Sequence, residues 1–265
     1  MKKRCLVVDV DGTKYRWQLF HDWIAGMVQF GFLPKFVLAR AEEELQAYRD
    51  RQGSFKDFLD VQLEAYQGHA RLKGIRVRDA QWVAKQVIAE KGRRVHVFVR
   101  ELMEHARDLG FMIAFISGSP LEVVEALAAE DDVDIVFGTE HPREGGYYTG
   151  GDPKVWAMAK HEALDIIVKE HGVDLSSSIA IGDSEGDIPV LERVAYPICF
   201  NPNETLYRAA RASSNRWPVV IERKLVYVES WTERKMRKEA FLREILPEEL
   251  GVALEARLRN LNLIP

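Results

Sequence analysis

Five short apolar runs limit what this chain can fold into. They occupy residues 4–10, 111–117, 133–138, 178–183 and 196–200, and helix-patterned stretches separate them. Runs of that length read as strands buried on both faces. Their alternation with helices predicts an α/β fold, a doubly wound parallel sheet covered on both sides. Open sheets of this kind bind ligands at the carboxyl ends of their strands.

The alternation is interrupted once. Between residues 14 and 94 no segment reads as a strand. Phe20, Trp23, Ile24, Met27 and Val28 recur at helical spacing until Gly31, residues 35–50 are charged and helix-prone, and 79–90 is a further helix. Ser54 is placed to cap a helix carrying Phe55, Phe58, Leu59, Leu63 and Tyr66. The expected division is a core of residues 1–13 and 95–230, a helical cap of 14–94 inserted after the first strand, and a helical tail of 231–265. Residues 217–228 read as a strand pair within the core. Along the tail, Leu250, Leu254, Leu258 and Leu261 share one helix face, which is expected to pack on the chain's own core rather than on a second copy.

Composition narrows the function. A net charge of −4 and a pI near 6.0 argue against a partner such as nucleic acid or an anionic membrane surface. No apolar run approaches the ~20 residues of a membrane span. Lys2, Lys3 and Arg4 precede only Cys5–Val8 before Asp9 intervenes, too short a core for a secretory signal. Cys5 and Cys199 fall on strands expected to be separated by one other, about 10 Å apart, so neither a disulfide nor a secreted scaffold is expected. The seven histidines are scattered, and no CxxC or HExxH occurs. A cytoplasmic protein is the expectation.

Chemistry is expected where the strands end. Asp9 and Asp11 close the first run and point the same way along an extended chain. By themselves they fit an Asx turn, with Gly12 supplying the bend, better than a reaction centre. A second pair alters that balance: Asp183 ends another strand, and Asp187 follows one helical turn later. Four carboxylates converging on one sheet edge need a cation, and hard oxygen donors suit Mg²⁺. Ser117 and Gly118 end a third strand before a helix N-terminus with free amides, where Ser119 is the expected cap and Pro120 the first helical residue. Lys154 stands at another helix start as a compact positive charge for phosphate, with Lys160 further along as its understudy. Together these residues form an inventory for phosphoryl transfer.

In order, "DVDGT" (9–13), "ISGSP" (116–120), "GGDPK" (150–154) and "GDSEGD" (182–187) resemble the four motifs of the haloacid dehalogenase superfamily. The helical insert after the first motif resembles its phosphoserine-phosphatase-like subfamily. The resemblance implies a Rossmann-like core, with Asp9 as nucleophile and Asp11 as general acid and base. It implies Mg²⁺ held by Asp9, the Asp11 carbonyl and Asp183, with Asp187 orienting that shell. Ser117, Gly118 and Lys154 would bind the phosphoryl group. The implied activity is a phosphatase acting on a small-molecule phosphate monoester, as monomer or homodimer. A phosphotransferase or mutase using the same aspartyl-phosphate, and a non-catalytic binding protein, are the alternatives. Phosphoserine phosphatases usually read "DST" for this chain's "DGT" and "SGG" for its "SGS", and carry an acidic residue near the place of Gln18. The expected substrate is therefore a small phosphate ester, not phosphoserine in particular. Lys14, Tyr15 and Arg16 replace the usual apolar residues and serve either an acidic substrate or the structure.

Overall fold

The computed structural model describes residues 3–54, 56–58, 60–61, 72–214, 217–232, 235–237 and 242–264. Its centre is β1 (Cys5–Val8), buried on both faces. Cys5 and Val7 enter one apolar layer, and Leu6 and Val8 the other. β1 pairs in parallel with β2 (Met112–Pro120) on one side and β6 (Ile179–Gly182) on the other. The chain therefore switches direction of travel at β1, the place where such sheets open a crevice. Val8 lies level with Phe115 and Ile181, so the ends of three strands stand side by side.

Among the described residues the sheet has eight strands, in the order β10-β9-β8-β7-β6-β1-β2-β3. β3 is Ile135–Thr139, β7 Tyr196–Phe200 and β8 Val219–Glu222, all parallel to β1. β9 (Val226–Thr232) and β10 (Lys235–Arg237) return antiparallel. The helical tail therefore starts later than position 231. Residues 231–232 and 235–237 belong to strands because β9 continues its ladder, a pairing that local pattern does not carry. β6 lies between the strands of Cys5 and Cys199, and both thiols are free and buried.

Among the described residues the insert carries α1 (Leu19–Gln29), α2 (Phe36–Arg49) and α3 (Val77–Lys91), and residues 56–58 and 60–61 are helical as well. Leu19, Phe20, Trp23, Ile24 and Met27 form the buried face of α1. Ser54 and Asp57 cap each other, Asp57 N donating to Ser54 Oγ at 3.1 Å. Phe58 packs there with Ala41, Leu45 and Val61, while Phe55, Leu59, Leu63 and Tyr66 of the expected helix lie outside the described residues. The outgoing and returning connections run side by side: Arg16 N donates to Arg94 O at 2.8 Å, and His96 N to Lys14 O at 3.1 Å.

After the return, α4 (Val97–Asp108) begins beneath Glu222. The Glu222 carboxylate accepts from Val97 N at 3.1 Å and Phe98 N at 2.8 Å, with His96 Nδ1 3.3 Å away. Burial works against that charge, but these donors hold the carboxyl below its usual range. α5 is Leu121–Glu130. A hairpin of β4 (Arg143–Glu144) and β5 (Tyr147–Tyr148) then meets the insert, Gly74 N donating to Tyr148 O and Val77 N to Gly146 O, each at 2.9 Å.

α6 runs Lys160–His171, so the helix start that the spacing placed at Lys154 comes later in the chain. Lys154 exchanges both backbone bonds with Glu140 at 2.9 Å, which keeps residues 153–155 out of the helix. A 3₁₀ turn (Glu185–Asp187) leads into the short helix α7 (Ile188–Leu191). α8 (Glu204–Ala212) starts at Asn203, whose side chain accepts from Leu206 N. α9 (Glu248–Asn260) buries Leu250, Leu254 and Leu258 in the main core, and Arg257 Nε donates to the buried Glu101 at 2.8 Å. The leucine face thus packs on its own chain. Among the described residues no helix is long and apolar enough to cross a membrane.

Candidate active site

Asp9 leaves the end of β1 with its amide bonded to Ile181 O at 3.0 Å. The chain then turns at Gly12, with φ +84°. A Cβ at Gly12 would stand 2.1 Å from Asp183 Oδ2, so the acid of β6 reaches Asp9 only because that side chain is missing. Gly182 makes the same allowance for Asp187, whose Cγ would lie 2.1 Å from a Cβ there. The Asp187 carboxylate closes its own turn, accepting from Asp183 N at 3.1 Å and Ser184 N at 3.0 Å.

Three carboxylates result, from Asp9, Asp183 and Asp187, each with an oxygen within 4.8 Å of the others. Lys160 Nζ sits among them, 2.6 Å from Asp9 Oδ1 and 2.5 Å from Asp187 Oδ1, and is only 5% exposed. Burial pushes the Asp9 carboxyl up to about 7, Lys160 opposing and Asp187 adding to the rise. Burial and then the Asp9 charge raise Asp183 well above the carboxylate range. Burial works against the Lys160 charge, yet Asp187 and Asp9 hold it above the usual lysine value. One ammonium leaves this pocket oversupplied with negative charge. A hard divalent cation fits both the donor set and the imbalance.

Asp11 faces β2 instead. Its carboxylate accepts from Ser117 Oγ at 2.9 Å and from Leu19 N, the first amide of α1, at 2.6 Å. Ser119 Oγ lies 2.9 and 2.8 Å from its two oxygens. Burial raises the Asp11 carboxyl, and these donors act against the rise. Gly118, between the two serines, accepts at its carbonyl from Thr139 Oγ1 at 2.7 Å.

Three expectations need correction. Lys154 is not in the cluster: its Nζ lies 3.7 Å over the Trp156 ring and 3.8 Å from Glu162, half exposed. The Glu140 pairing turns it outward, and the delayed start of α6 brings Lys160 to Asp9 in its place. Ser119 does not cap a helix either. β2 continues to Pro120, paired with Thr139, and the Ser119 hydroxyl goes to Asp11. Asp9 and Asp11 do not point the same way either: the chain turns at Val10, so Asp11 goes to Ser117 and Ser119 while Asp9 goes to Lys160, and three carboxylates rather than four meet. Lys14 and Tyr15 serve the structure. Lys14 Nζ is buried 2.8 Å from Asp131, and Tyr15 OH donates to Asp22 at 2.7 Å.

The model of the haloacid dehalogenase-like hydrolase family matches residues 6–192. Phosphoserine phosphatase SerB2 of Mycobacterium tuberculosis is 29% identical over 213 residues, 80% of this chain and 47% of that protein. Phosphoserine phosphatase of Archaeoglobus fulgidus is 26% identical over 217 residues, covering 81% and 57%. The chain thus spans about half the length of these curated relatives. Among solved structures, a protein of unknown function from Bordetella pertussis Tohama I superposes with a TM-score of 0.65 at 19% identity, covering 84% of this chain and 99% of that one. A phospho-aspartyl intermediate analogue of phosphoserine phosphatase gives 0.54 at 18% identity, covering 84% and 95%. At those identities the likeness is one of fold.

Proposed function

Because the chain belongs to the haloacid dehalogenase-like hydrolases, we propose that it is a Mg²⁺-dependent phosphatase that hydrolyses a small-molecule phosphate monoester through Asp9. The observation that carries this reading is the convergence of Asp9, Asp183, Asp187 and Lys160 at one sheet edge, with Asp11 beside them bonded to Ser117 of the neighbouring strand end.

Asp9 is the nucleophile. Lys160 fixes its carboxylate through Oδ1. An Asp9 oxygen forms a bond to phosphorus while the ester P–O bond breaks, and the departing alcohol oxygen takes a proton from Asp11. Water then attacks the phosphorus of the aspartyl-phosphate and gives its proton back to Asp11. Inorganic phosphate leaves, and the Asp9 carboxylate is restored. Ser117 and the Gly118 backbone hold the transferring oxygens, and Lys160 supplies the positive charge that sequence spacing had assigned to Lys154. Bound Mg²⁺, held by Asp9, Asp183 and the Asp11 carbonyl with Asp187 beside them, would neutralise charge between the acids and the phosphoryl oxygens.

The division into a core of 1–13 and 95–230 and a cap of 14–94 belongs to the same proposal, with the core sheet carried on through β9 and β10 before the helical tail. The cap selects the leaving group and excludes water during the first step. The relatives' names support a small phosphate ester as substrate, and two buried free thiols support a reducing, cytoplasmic setting. Release of phosphate from p-nitrophenyl phosphate is expected to require Mg²⁺ and to vanish in Asp9→Asn with the fold intact. Unchanged turnover in that variant would exclude the mechanism.

A further inference from the structure

Asp11 is held by more donors than its proposed task leaves in place. Ser117 Oγ donates to it, Ser119 Oγ reaches both its oxygens, and Leu19 N donates to Oδ1. Ser119 also holds Ser117, because its amide donates to Ser117 Oγ at 2.9 Å. Both serines are buried, at 0% and 1% exposure. A serine hydroxyl carries one proton to donate. Ser117 cannot give that proton to Asp11 and to a transferring phosphoryl oxygen together. Once it turns to the phosphoryl group, its oxygen stays anchored by the Ser119 amide, and Asp11 keeps only the Ser119 hydroxyl and the Leu19 amide.

We propose that Ser119 is a positioning residue: its hydroxyl holds the Asp11 carboxyl for proton transfer while Ser117 serves the phosphoryl group. The inference rests on the functional reading above. Its geometry suits both halves of the reaction. The hydroxyl lies within 2.9 Å of either Asp11 oxygen, so it can stay with whichever one is not exchanging a proton. The placement follows from the strand. β2 loses its regular register on β3 between Ile116 and Pro120, and in that irregular stretch Ser119 N turns back to Ser117 Oγ while both hydroxyls reach Asp11.

The test compares kcat/KM for the unsubstituted chain, Ser119→Ala and Ser119→Thr on p-nitrophenyl phosphate and phenyl phosphate with Mg²⁺, alongside inhibition by inorganic phosphate. Nitrophenolate departs with little help from a proton donor, whereas phenolate needs one. A poorly held Asp11 lowers kcat/KM about tenfold on phenyl phosphate and less than about threefold on p-nitrophenyl phosphate. Inhibition by inorganic phosphate is expected to stay unchanged, and threonine to restore the ratio between substrates. Ser119→Gly makes the same deletion and carries the test if the alanine chain melts early. Equal losses on both substrates, or weaker phosphate inhibition in step with the loss, would mean that Ser119 shapes the pocket, and would overturn the inference alone. No turnover of either substrate by the unsubstituted chain would overturn the functional reading and this inference with it.

Discussion

Replacing Lys160 by methionine keeps most of the side-chain volume and removes the ammonium that bridges Asp9 and Asp187. The contacts are 2.6 and 2.5 Å long at 5% exposure. A unit pair at that distance attracts by about 6 kcal/mol at an effective dielectric near 20, and each buried ion gives back several kcal/mol in lost hydration. Breaking such a pair from one side costs about 3–5 kcal/mol, because the remaining charge stays buried. For Lys160→Met in metal-free buffer at pH 8 the lower end, about 3 kcal/mol, corresponds to a fall in Tm of about 6–12 °C. Protons soften the loss. Burial already pushes Asp9 up to about 7, and without Lys160 it rises further. A carboxyl raised in the folded state keeps protons that the unfolded chain has released above about pH 4, so stability falls as pH rises through that interval. The penalty is therefore largest above pH 7 and shrinks toward pH 5. On p-nitrophenyl phosphate the same variant is expected to lose about 10²–10³ in kcat, the scale of one preorganised donor at a developing charge. Lys154→Met, by contrast, touches only an exposed contact to Trp156 and Glu162 and should stay within about 0.5 kcal/mol and near full activity. Melting curves at pH 5 and 8 with matched kinetics decide the matter. A Lys160→Met chain that melts and turns over like its parent, or a Lys154→Met chain that fails in its place, would refute the assignment.

Other outcomes follow from the same contacts. Glu222→Gln loses charge-assisted bonds to the start of α4 and should cost about 2 kcal/mol at pH 7. Because the folded carboxyl is held below its usual range, that contribution is present above about pH 4.5 and disappears as pH falls through the folded value, so the two chains' melting points should converge in acid. Leu254→Ala opens a cavity in the core under α9 and should cost about 3 kcal/mol by urea titration, with turnover of the folded fraction unchanged. The Mg²⁺ concentration giving half-maximal activity should rise as pH drops below about 7, since protons compete for Asp9 and Asp183, and a chelator should abolish turnover reversibly. A flat Mg²⁺ requirement between pH 5.5 and 8 would contradict the proposed ligand set.

The sheet and the acid pairs were legible because their signals are local. β1, β2 and β6 are buried on both faces, so each reads as an unbroken apolar run, and Asp9, Ser117 and Asp183 stand out where the runs stop. What could not be read depends on partners distant in the chain. "GGDPK" looks like a helix start until Lys154 pairs with Glu140, and only then is Lys160 the lysine that faces Asp9. "SGSP" looks like a capped helix until Pro120 pairs with Thr139 and keeps Ser119 on the strand. Residues 231–232 and 235–237 carry charges that suit a helix, and the backbone ladder between β9 and β10 overrides that preference. In each case a long-range hydrogen bond decides between two locally acceptable conformations.

The account stands on Asp9 accepting the phosphoryl group. Quenching the chain within its first turnover of p-nitrophenyl phosphate, reducing the acyl phosphate with borohydride and sequencing the peptides by mass spectrometry tests this directly. Homoserine at position 9, absent from Asp9→Asn and from unreacted protein, is the expected product. Full turnover with every aspartate intact, or reduction at another aspartate, would contradict it.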